Sequence, residues 1–65
     1  MEDFKTRLVE EAKQLMEKLE KLREFIKSNK FPLLSSTNQS LLKIQCTAMA
    51  TYLECLSARI DLLIK

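Results

Sequence analysis

Gln45, Tyr52 and Arg59 stand seven residues apart, with no residue of the same kind between them. On a helix that spacing places an amide, a phenol and a guanidinium on one stripe. Such a set can stack a base on the ring, hold a phosphate in the arginine fork and read a base edge with the amide. The same residues have an ordinary use. Polar side chains flanking an apolar seam form hydrogen bonds between helices that fix register, and Arg59 can pair with Glu54, Asp61 or a carboxylate elsewhere.

Other chemistry is poorly supplied. The chain has no His, so the commonest general base is missing. It has no Gly, so no glycine-rich loop can cradle a phosphate. Cys46 and Cys55 have no imidazole to activate them. Nine residues apart on one helix, they lie roughly 13 Å apart along the axis and cannot join in a disulfide within it. Their spacing is not that of a zinc site, and unpaired thiols suit a reducing cytosol. The expectation is a protein with no catalytic residue, no metal and no cofactor.

The elements that carry these residues follow from periodicity. Leu8, Ala12, Leu15, Leu19, Leu22 and Ile26 step by four and three, a seam of about three heptads. Val9 and Met16 widen it on one side, Phe4 and Phe25 on the other. Leu42, Cys46, Met49, Leu53, Leu56, Ile60 and Leu63 repeat the pattern further on. Between the two runs, Asn29 can take a left-handed C-cap conformation, and Pro32 disfavours helix at Phe31. Ser36 with Gln39 matches a capping box. The spacing predicts one domain over 1–65: a helix over about 3–28, a connection over about 29–36 and a helix over about 37–64. Phe31, Leu33 and Leu34 are expected to fold back and plug the end of the hairpin.

Charge separates the two halves. Residues 1–30 hold fifteen of the twenty charged residues. In the second helix Leu41, Ile44, Ala48, Ala50, Cys55, Ala58, Leu62 and Ile64 lie outside the main seam. A helix that is apolar on more than one side must be buried on more than one side. At 65 residues the chain also needs help beyond a single core. The fold class expected is therefore all-α: a two-helix antiparallel hairpin assembling into a homo-oligomeric helical bundle, the second helix central and its seam from Leu42 to Leu63 an interface. No apolar run is long enough for a membrane span or a signal peptide. A net charge of +2 gives no case for DNA or RNA as partner.

Several short runs carry a family likeness. They are Phe31-Pro32-Leu33-Leu34, Gln39 to Gln45, Ala48 to Glu54, and Leu56-Ser57-Ala58-Arg59-Ile60, with Lys21-Leu22 and Phe25 before them. This pattern resembles a family of small phage and prophage helical-hairpin proteins related to a crAss-like phage protein. The second helix here carries less charge than that family tends to. In size and build the chain is also similar to the anti-CBASS and anti-Thoeris sponges of phages. The resemblance implies a counter-defence protein in the cytoplasm of a host bacterium, sequestering a cyclic oligonucleotide or cyclic ADP-ribose type of signal without cleaving it. Gln45, Tyr52 and Arg59 would then be the ligand-binding residues. Two other readings remain open at this level: a protein-protein inhibitor of a host defence effector, and a purely structural oligomerisation module.

Overall fold

The computed structural model describes residues 4–64; residues 1–3, Lys65 and the side chain of Ile64 lie outside the described residues, and with them the expected start of the first helix at residue 3. Helix α1 spans Phe4–Lys27, a single 3-10 turn spans Phe31–Leu33, and helix α2 spans Ser36–Ile64. The hairpin is 45 Å long and 19 by 15 Å across. No strand occurs among the described residues.

The two seams meet. Leu8 and Leu19 from α1 and Leu56 from α2 are buried, at 4%, 2% and 0% exposure, and Phe31 joins them from the connection at 7%. The remaining α1 seam residues, Ala12, Leu15, Leu22 and Ile26, are half-buried. So are Leu42, Cys46, Met49, Leu53, Ile60 and Leu63 on α2. Two helices can enclose only the centre line of their contact, which is why most of each seam keeps an accessible edge.

The turn differs from expectation in three details. No described residue has positive φ, so Asn29 does not form a left-handed cap. Ser28 does that work: its hydroxyl donates to the Phe25 carbonyl at 2.6 Å and accepts from the Lys30 amide at 3.3 Å. The chain then stays right-handed through Lys30 (φ −80°, ψ −27°) into the 3-10 turn, with Pro32 in its first residues, where the missing amide hydrogen costs nothing. The helix-avoiding effect of Pro32 on Phe31 is thus overridden by a tighter turn. Finally, the cap of α2 is Ser35, whose hydroxyl accepts from the Asn38 amide at 3.1 Å. Gln39 does not close a box with Ser36. Its side-chain amide donates to the carbonyls of Leu34 at 2.9 Å and Pro32 at 3.4 Å, tying the 3-10 turn to the helix.

Of the three apolar residues in the connection, Phe31 plugs the hairpin and Leu34 is half-buried, but Leu33 is 83% exposed. Phe31 meets Phe25 edge to face, with centroids 6.5 Å apart and planes at 89°. Lys43 also stands over the Phe31 ring, with Nζ 5.7 Å from its centroid. One ring therefore joins α1, the turn and α2.

Candidate binding site along the helix groove

Antiparallel packing leaves a groove on each side of the seam. The stripe of Gln45, Tyr52 and Arg59 lies along one of them. All three side chains are exposed, Tyr52 at 46%. The Tyr52 hydroxyl donates to Glu11 Oε2 across the groove. Glu11 also lines a cleft of about 280 Å³ with Phe4, Arg7, Leu8 and Arg59. The structure thus brings Tyr52 and Arg59 to a common neighbour, Glu11. Gln45 lies one heptad nearer the turn, about 10 Å along the axis from Tyr52, and does not line this cleft.

Arg7, Glu11 and Phe4 line this cleft with Arg59 and were not among the residues expected there. Phe4 and Glu11 are also seven apart, on the α1 stripe flanking its seam. In an antiparallel pair the flanking stripe of one helix faces the equivalent stripe of the other. The signal was present, but using it required knowing which stripe of α1 met which of α2. Two guanidiniums from different helices now share a cleft with a half-exposed aromatic ring and one carboxylate. The guanidiniums can fork onto phosphate oxygens and the Phe4 ring offers a face for stacking. Glu11, held by the phenol, can accept from a base amino group.

The opposite groove is larger, at about 470 Å³. Leu19 and Leu53 form its floor, and Arg23, Glu54 and Asp61 stand on its rim. The small residues Ala50 and Ser57 line its α2 wall beside the seam. Two carboxylates against one guanidinium make this side unfavourable for an anion. Both grooves are open along their length, and neither alone encloses a ligand of nucleotide size. Among the described residues, no group of three or more His, Cys, Asp or Glu side chains could hold a metal ion, and no helix is long and apolar enough to cross a membrane.

The described residues form a short two-helix hairpin with an arginine-lined groove, and that is the architectural class of the chain. The particular family is given by sequence: the profile of the Sequestin family matches residues 2–62, and the chain belongs to that family. A 7.5 kDa protein encoded in the denB-rIIB intergenic region of Enterobacteria phage T4 is 42% identical over 57 residues, covering 88% of this chain and 89% of the T4 protein. No solved structure shows a significant match to the hairpin. The chain is therefore a small, helical, phage-type protein of the Sequestin family.

Proposed function

We propose that the protein captures a cyclic nucleotide-type immune signal and holds it without cleaving it. The observation that carries this reading is the pairing of Arg7 and Arg59 from different helices in one cleft, beside Phe4 and the Tyr52–Glu11 contact. Arg7 and Arg59 hold phosphate, Phe4 and Tyr52 supply ring faces, and Gln45 reads a base edge from the same stripe. The family name, which speaks of sequestration, and the phage relative point the same way. The kinship with crAss-like phage proteins and the setting in a host bacterial cytoplasm belong to this proposal.

The working form is a homo-oligomer. One hairpin leaves Leu41, Ile44 and Leu62 between 59% and 71% exposed, and the seam residues Leu42, Cys46, Met49, Leu53, Ile60 and Leu63 retain open edges. Copies that meet along α2 bury this surface and turn open grooves into enclosed pockets. The same exposed face supports a second reading, in which the α2 face caps a host effector as a protein-protein inhibitor.

Calorimetry against cyclic di- and trinucleotides and cyclic ADP-ribose isomers tests the first reading. Binding heat is expected with at least one of them, unchanged ligand is expected on recovery, and Arg59→Ala should abolish the heat. Silence with the whole panel removes the reading. A stoichiometric host protein recovered from lysate together with that silence would favour the inhibitor.

A further inference from the structure

Helix α2 carries a second apolar stripe on the side away from α1. Leu41 and Ile44 lie at one end of it and Leu62 at the other, and all three are more than half exposed. Between them Ala48, Thr51, Cys55 and Ala58 are exposed as well. The steps alternate three and four, the period of a two-stranded helical seam. No charge falls on the stripe. The Thr51 hydroxyl donates back to the Thr47 carbonyl at 3.0 Å, so this position, too, can present a methyl group.

We propose that this stripe is covered by the α2 helix of a second copy, antiparallel and in one register. In that register Leu41 lies opposite Ala58 of the second copy, Ile44 opposite its Cys55, and Ala48 opposite its Thr51. The outer layers set a large side chain against a smaller one and the two central layers set Ala against Thr, so no layer forces two large side chains together. The two helices overlap over almost all of Ser36–Ile64. On the flanks, Ser40 meets Asp61, Thr47 meets Glu54 and Asn38 meets Arg59, so each charge faces an uncharged residue. Sliding by one heptad would bring Glu54 against Glu54. A parallel pair would gain contacts between Glu54 and Arg59, but these are exposed and weak. It would also stack Leu41 on Leu41 and Ile44 on Ile44 while leaving Ala48 on Ala48, prying the helices apart at one end and starving the middle.

The register completes the binding stripe. It sets Gln45 of one copy beside Tyr52 of the other, so the amide and the phenol act together only between copies. For its ligand this rests on the sequestering function proposed above; the pairing itself does not.

Disulfide trapping tests it. In a Cys46→Ala background, Ile44→Cys should oxidise to a covalent dimer in which position 44 is joined to Cys55. Those two positions are eleven residues apart on one helix, about 16 Å, and cannot close within a chain. The Cys46→Ala protein alone should stay uncrosslinked, because the register keeps the two Cys55 residues apart. A second pair, Leu41→Cys with Ala58→Cys in a chain lacking both native cysteines, should crosslink in the same way; all these outer-stripe positions are exposed, and retained helicity by circular dichroism confirms folding. A Cys55–Cys55 bridge in the Cys46→Ala protein would overturn the register in favour of a parallel pair. Uncrosslinked variants that sediment as single hairpins at micromolar concentration would overturn the pairing itself. Nucleotide binding without these crosslinks removes the register and spares the sequestering function; crosslinks with no nucleotide binding do the opposite.

Discussion

The two helices are built to different rules. Helix α1 has one apolar stripe, and water takes the rest: its seam residues are buried or half-buried while nearly every charged residue on it is exposed. Helix α2 has the same seam but no matching polar face. Leu41, Ile44 and Leu62 are more exposed than any large apolar residue of α1. The lesson is that the hairpin contact satisfies α1 and only half satisfies α2. The face that stabilises the single chain and the face on which assembly is proposed therefore lie on opposite sides of one helix.

That division can be broken or sharpened by substitution. The largest effect should come from the shared seam. Leu56→Ala removes a side chain with no exposed surface and should cost about 2–5 kcal/mol in urea unfolding followed by circular dichroism. A small cost there would mean that the seam does not hold the hairpin. Next comes the entry to α2. Ser35→Ala removes the cap on the Asn38 amide and should cost about 1 kcal/mol, whereas Ser36→Ala should leave stability almost unchanged. Equal losses would return the cap to Ser36. Across the groove, Tyr52→Phe should cost about 0.5–1 kcal/mol, with coupling to Glu11→Gln in a double-mutant cycle. Additive losses would show that the phenol and the carboxylate do not act together.

The smallest intrinsic effect belongs to the outer face. Leu62→Ala should change the stability of dilute protein by less than about 0.5 kcal/mol. It should, however, flatten the rise of melting temperature with concentration that an assembling chain shows. Glu20→Ala, on the exposed side of α1, should leave that concentration dependence unaltered.

Much of this contrast was legible in the residues. Each seam repeats its three-and-four step through a complete helix, and no glycine interrupts it, so both helices and their buried stripes could be read directly. The turn was less legible, because its details depend on competition between near-equal partners. Ser35 and Ser36 are both able caps, and Gln39 decides between them by donating to the Leu34 and Pro32 carbonyls, which only the folded turn presents. Asn29 has the right residue type for a left-handed cap but loses to the hydroxyl of Ser28. At the groove, the stripe of Gln45, Tyr52 and Arg59 was visible as a spacing within one helix. Arg7, Phe4 and Glu11 were not, since their membership depends on how far α1 slides along α2, and a seam of repeating leucines fits several offsets.

The contact between Tyr52 and Glu11 also involves the principal chromophore of the chain. The chain has one tyrosine and no tryptophan, so Tyr52 dominates its near-ultraviolet signal. A phenol hydrogen-bonded to a carboxylate emits weakly. Anything that enters the groove and draws Glu11 away should brighten the fluorescence of the unlabelled protein, while a ring stacked on the phenol should dim it further. The groove thus carries its own optical probe, and a titration can be followed with no dye attached.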